Sequence, residues 1–190
     1  MKAVIFNGTV EDDESIKAIE AELVGQLAKA GWTVERIELR RTRIAGCLGC
    51  FDCWVKTPGI CVIDDFGRET AKKAVQSDLL VWLTPVTFGG YSSELKKALD
   101  RLIPNLLPYF DSYHGQIHHK MRYEKQPKLL VIGTQSTDEV DEETFLAMTE
   151  RNALNLRPPK HAAGIFWKSE RSENVHSFVE ALLKKVEVIS

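Results

Sequence analysis

Two periodicities alternate along the chain. Residues 2–6, 78–83, 128–133 and 162–167 are short, nearly continuous apolar runs, and residues 33–39 alternate apolar with polar. Runs of this length suit strands buried in a sheet. Between them apolar residues recur at helical spacing. Ile16, Ile19, Leu23 and Leu27 predict a first helix that ends near Gly31, and further helices are predicted over about 67–76, 93–102 and 142–154. A last helix carries Val175, Phe178, Val179, Leu182, Leu183 and Val186 on one face. Five strands alternating with five helices predict an α/β fold, a three-layer, doubly wound, five-stranded parallel sheet covered on both sides. Such sheets bind ligands beyond the carboxyl ends of their strands. Residues 103–127, with Pro104, Pro108 and Pro127 and little period, break the rhythm and read as a long functional or interface loop.

Composition narrows the picture without naming an activity. At 190 residues and 44% hydrophobic, the chain suits one domain with one good core, and no repeat or low-complexity tract divides it. A net charge of -2 offers no basic excess for nucleic acid, and no apolar run is long enough for a membrane span. The opening Met-Lys-Ala-Val-Ile-Phe lacks the features of a secretory signal, so a cytoplasmic location with reduced thiols is expected.

Candidate chemistry is concentrated in one place. Cys47, Cys50, Cys53 and Cys61 are the only cysteines, and they fall within fifteen consecutive residues. Three thiols at three-residue spacing, then a fourth after a Pro-Gly turn, can converge if the segment curls, as four thiolates around an iron-sulfur cube require. Structural zinc more often takes two separated pairs of ligands. Free or redox-switching thiols, and a loop that keeps only the shape of a former cluster site, are further readings.

The other candidates lie at the strand ends. They are Asn7, Gly8, Thr9 and Ser15 after the first strand, the segment 84–96 after the third, and 133–138, including Thr134 and Gln135, after the fourth. The segment Pro85-Val86-Thr87-Phe88-Gly89, followed by Ser92-Ser-Glu-Leu-Lys96 and Asp100-Arg101, resembles the flavin-ring loop and next helix of the flavodoxin-like NADPH-dependent FMN reductase family. The Cys-x2-Cys-x2-Cys-x7-Cys run resembles the motif of that family's iron-sulfur flavoproteins, and Asp64 and Asp65 fit the same pattern. The resemblance covers roughly residues 1–135. It implies a flavodoxin-like fold of strand order 2-1-3-4-5, FMN at the strand ends, a 4Fe-4S cluster on the four cysteines, NAD(P)H or a protein as electron donor or acceptor, and a homodimer or homotetramer.

Physical reasoning supports the ring loop and questions the phosphate end. Backbone groups of residues 85–89 could bond the polar edge of an isoalloxazine, Phe88 or Trp54 could offer an apolar face, and Gly89 and Gly90 permit close approach. The family's phosphate lies at the start of the first helix, where free amides and the helix dipole favour an anion. Here Glu11, Asp12, Asp13 and Glu14 occupy that neighbourhood. Either these carboxylates point outward while Asn7, Gly8, Thr9 and Ser15 still hold the phosphate, or FMN affinity is weakened or lost; Arg41 or Arg43 could offset the charge. The expected function is an FMN-dependent oxidoreductase with no protein acid–base residue nominated as catalytic. The alternatives are a non-catalytic module that has lost FMN and a thiol or metal redox sensor. His114, His118 and His119 read as loop or interface residues rather than metal ligands, and Tyr109, Phe110, Tyr113 and Tyr123 favour an interface or lid. Asp100-Arg101 reads as an ion pair at a helix end, and the charges of 168–171 as a solvated turn.

Overall fold

A computed structural model describes residues 1–136 and 142–189. In chain order the elements are β1 (Lys2–Asn7), α1 (Glu14–Lys29), β2 (Thr33–Glu38), a 3-10 turn (Leu39–Arg41), α2 (Asp52–Val55), α3 (Phe66–Gln76), β3 (Leu79–Pro85), α4 (Ser93–Asp100), a second 3-10 turn (Ile103–Asn105), β4 (Leu106–Tyr113), β5 (Gln116–Met121), β6 (Lys128–Gln135), α5 (Glu142–Leu156), β7 (His161–Trp167) and α6 (Asn174–Lys185). The main sheet runs β2-β1-β3-β6-β7, with every pair parallel. Counted within that sheet, this is the expected order 2-1-3-4-5.

Alternation along the central strand feeds two cores. Leu79, Val81 and Leu83 of β3 pack with Ile16, Leu23, Val179 and Leu183 of α1 and α6. Leu80 and Trp82 face the opposite layer, with Ala71, Leu95, Ala98 and Phe145 of α3, α4 and α5. Side chains cap the helices that leave the carboxyl edge: Asp13 caps α1, Asp65 caps α3 and Ser92 caps α4. The strand ends and the helix starts therefore share one rim.

Residues 103–127 are not the structureless loop the pattern predicted. β4 and β5 form an antiparallel hairpin closed by His114 and Gly115, both with positive φ (49° and 76°), as a tight two-residue turn requires. The register slips between Leu106 and Phe110, around Pro108, which has no amide to donate. None of the hairpin's residues is fully buried, so its strands lack the alternation that a core imposes. His118 holds the hairpin to α5 by a 2.9 Å bond to Asn155, and Asp111 pairs with Arg157.

Candidate functional site

The loop after β3 is a tight reversal at the carboxyl edge. Val86 N–H still donates to the Thr134 carbonyl at 2.9 Å, after which Thr87 and Gly90 exchange two backbone bonds of 3.0 and 2.9 Å. Phe88 and Gly89 make the turn with φ of 50° and 72°. A left-handed bulky residue stores about 1–3 kcal/mol of strain, and here the strained residue is an aromatic with its side chain fully in solvent. A Cβ at Gly89 would lie 3.1 Å from Thr144, so glycine suits the position twice over. Beside this turn the Thr134 hydroxyl is buried with no partner among the described residues. Gln135 is also buried, and its carbonyl accepts from Lys168 N–H at 2.8 Å. Thr137 and Asp138, at the end of the same nominated segment, lie outside the described residues.

The loop after β1 is tied down at both of its ends. Gly8 N–H donates to Leu83 at 2.7 Å, Thr9 N–H to the Asn7 side chain at 3.0 Å and the Thr9 hydroxyl to the Glu11 carbonyl at 2.6 Å. The Asn7 amide reaches Glu20 at 3.3 Å. One Asp13 oxygen accepts from the amides of Ser15 at 3.0 Å and Ile16 at 3.2 Å, and the other meets Lys168 Nζ at 2.7 Å. Lys168 is thus no solvated-turn residue.

The counter-charge for this loop also differs from expectation. Arg40, rather than Arg41 or Arg43, bonds Asp12 at 2.8 Å; with Lys17 it holds that carboxyl below the usual range. Arg41 pairs with Glu38, and Arg43 offers its carbonyl to Phe66. Lys168 offsets the charge of Asp13, so what disfavours a phosphate at this helix start is that the Asp13 carboxylate already occupies the Ser15 and Ile16 amides. The residues present fit an isoalloxazine at the ring loop; they do not fit a phosphate at α1.

The cysteine loop is held at its ends. Arg101, fully buried, donates from Nη1 to the Ala45 carbonyl at 2.8 Å and from Nη2 to the Ile63 carbonyl at 3.1 Å, on either side of the cysteines. The same two nitrogens grip Asp65 at 3.0 and 2.8 Å, and Asp65 in turn accepts from Ala45 and Gly67 amides. Burial alone would raise the Asp65 pKa; the guanidinium and the amides outweigh it and hold the carboxyl below its usual range. A Cβ at Gly67 would sit 2.8 Å from the guanidinium carbon, so the close approach needs glycine. The ion pair expected of Asp100-Arg101 is in fact two separate pairs, because Asp100 takes Lys96.

All four cysteines line one cavity of about 250 Å³, together with Leu48, Ile63 and Ile103. Cys47 and Cys50 are exposed, Cys61 half-buried and Cys53 buried; burial, with the neighbouring cysteines adding, pushes the Cys53 thiol up. The loop brings the nominated metal ligands to one place. Yet no group of three or more His, Cys, Asp or Glu among the described residues is arranged to hold a metal ion. Trp54 is committed here, stacked on Phe51 (4.9 Å) and tilted against His119 (4.8 Å), with Nε1 donating to the Ile103 carbonyl. Of the two rings that could offer an apolar face, Phe88 and Trp54, this leaves Phe88. His119 is further tied to the Leu107 carbonyl at 2.9 Å.

A sequence profile described as NADPH-dependent FMN reductase matches residues 1–168. The chain belongs to that family. Among similar proteins, this family member is 32% identical over 104 residues to an iron-sulfur flavoprotein of Methanocaldococcus jannaschii, covering 55% of this chain and 53% of that protein. It is 30% identical over 105 residues to an iron-sulfur flavoprotein of Archaeoglobus fulgidus, covering 55% and 46%. The match thus spans about half the length of each relative. Among solved structures, an NAD(P)H:quinone oxidoreductase from Methanothermobacter marburgensis aligns with TM-score 0.66 and 16% identity over 98% of this chain and 93% of the other. An FMN-dependent NADH-azoreductase from Bacillus anthracis in complex with FMN gives 0.68 and 14%, over 98% of both chains. At those identities the likeness establishes the fold. Among the described residues no helix is long and apolar enough to cross a membrane.

Proposed function

We propose that the protein is an NAD(P)H-dependent flavin oxidoreductase whose isoalloxazine lies against the loop of residues 85–90. The observation that carries this is the Phe88-Gly89 turn: an exposed aromatic held in a strained backbone at the carboxyl edge, beside the orphaned Thr134 hydroxyl. A bound flavin supplies the hydride and single-electron chemistry, and the protein orients it. Backbone groups of Val86 to Gly89 would meet the ring's polar edge, Phe88 would cover an apolar face, and Thr134 would supply a hydroxyl.

The cysteine loop is the second redox element in this reading, as a cluster site or a redox-active thiol set. The absence of a three-ligand metal group among the described residues favours thiols acting without iron; the names of the two relatives favour a cluster. The exposed Tyr109, Phe110 and Ile117 of the hairpin suit a homo-oligomeric contact.

The test is the visible spectrum and iron content of protein purified without oxygen and supplied with flavin. Flavin bands together with NAD(P)H oxidation support the reading, and protein that takes up no flavin ends it. Iron that disappears in Cys50→Ser while the flavin bands persist assigns the loop to a cluster. Iron-free protein with a thiol count that changes on oxidation assigns it to thiols.

A further inference from the structure

We infer that Asp13 sets flavin specificity: the site takes an isoalloxazine with an uncharged ribityl chain, such as riboflavin, about as readily as one ending in phosphate. The inference rests on the flavin reading above and concerns the other end of the same ligand.

The β1–α1 loop is where a chain leaving the 85–90 turn across the strand ends meets a helix start. The two loops are locked together, because the Ser92 hydroxyl donates to the Gly8 carbonyl and a Cβ on Gly8 would lie 2.6 Å from Leu95 Cβ. A helix start normally takes an anion through its free amides. Here the amides of Ser15 and Ile16 already carry the Asp13 carboxylate, and Lys168 completes its shell. The side chain of Asp13 is only 9% exposed, so the carboxylate is a built-in occupant and not a passing surface charge. Lys168 is itself anchored through its own amide on Gln135 at the end of β6.

Three further donors of the loop, the amides of Gly8 and Thr9 and the Thr9 hydroxyl, are spent on the Leu83 carbonyl, the Asn7 side chain and the Glu11 carbonyl. An arriving phosphate would have to break three contacts to Asp13 and then sit beside Asp12 and Glu14. A terminal ribityl hydroxyl is neutral, meets no such repulsion and can bond a carboxylate as donor. The chemistry therefore selects against the phosphate while leaving the ring subsite untouched.

Titration of the full chain with FMN and with riboflavin, followed by quenching of flavin fluorescence at one ionic strength, tests this. Wild type should bind FMN no more than about threefold more tightly than riboflavin, since the helix amides are already taken. Asp13→Gly, which costs a helix start little, frees both amides and Lys168; it should tighten FMN about tenfold and leave riboflavin within about twofold. Asp13→Asn keeps the cap acceptor, removes the charge and should give a smaller gain for FMN alone, which preserves the test if the glycine variant does not fold. The inference is overturned if wild type prefers FMN by about tenfold or more, or if the folded variants change both ligands alike or neither. Wild-type protein that quenches neither flavin overturns the flavin reading itself, and the specificity claim with it.

Discussion

The β1–α1 loop and the cysteine loop stand a few elements apart and solve opposite problems. In the first, the donors of Asn7, Gly8 and Thr9 and the amides of Ser15 and Ile16 find partners within the chain, and Asp12 and Asp13 each meet a cation. In the second, Arg101 and Asp65 hold the two ends and bonds such as Gly59 N–H to the Cys53 carbonyl shape the middle, while Leu48 and Val55 stand 74% and 71% exposed and Cys47 and Cys50 are exposed. The first loop uses its bonds to fix charged side chains around a helix start; the second uses them to fix a shape that leaves two of its thiols uncovered.

The sharpest way to break that contrast is to remove the clamp. Arg101→Met should cost about 3–5 kcal/mol in urea unfolding, because Asp65 would remain buried without its counter-charge; a loss below about 1 kcal/mol would show that the loop does not depend on it. The same variant tests the pH dependence. Asp65 is depressed in the folded state, so its stabilisation is present above the ordinary value of 3.8 and is lost as pH falls toward the folded value. Wild type should therefore lose stability steeply in acid, and the slope should flatten when Arg101 is gone. Faster reaction of the Cys53 thiol with a thiol reagent would show that the middle of the loop loosens first.

Smaller changes probe the closed loop. Gly8→Ala should lower stability by about 1–3 kcal/mol, read from a thermal melt, because its Cβ would collide with Leu95. Asp13→Ala removes the α1 cap and should cost about 1 kcal/mol in denaturant unfolding, with Asp13→Ser recovering most of it. At the lower end, Lys96→Ala breaks an exposed pair with Asp100 and should shift stability by only about 0.3–0.5 kcal/mol. If that substitution proved as costly as Arg101→Met, burial would not be what separates the two neighbouring pairs.

Much of the fold could be read directly from the chain. The runs 78–83 and 128–133 announce strands because burial on both faces leaves no room for polar residues, and Ile16, Ile19, Leu23 and Leu27 announce a helix that presents one stripe to a core. The ring loop and the cysteine spacing were equally visible, as local features of consecutive residues. The hairpin of β4 and β5 was not, since strands that bury no full face carry no alternation. Nor were the partners of the charges. Arg101 chooses Asp65 over its neighbour Asp100, Arg40 takes Asp12 where Arg41 or Arg43 was expected, and Lys168 crosses from the end of β7 to Asp13. Sequence alone determined the layered α/β sheet and the grouping of the four cysteines, because periodicity and spacing are properties of neighbouring residues. Which carboxylate fills the helix start, and which guanidinium closes the cysteine loop, was decided only by the tertiary structure, because an ion pair depends on which distant segments the packing brings within reach.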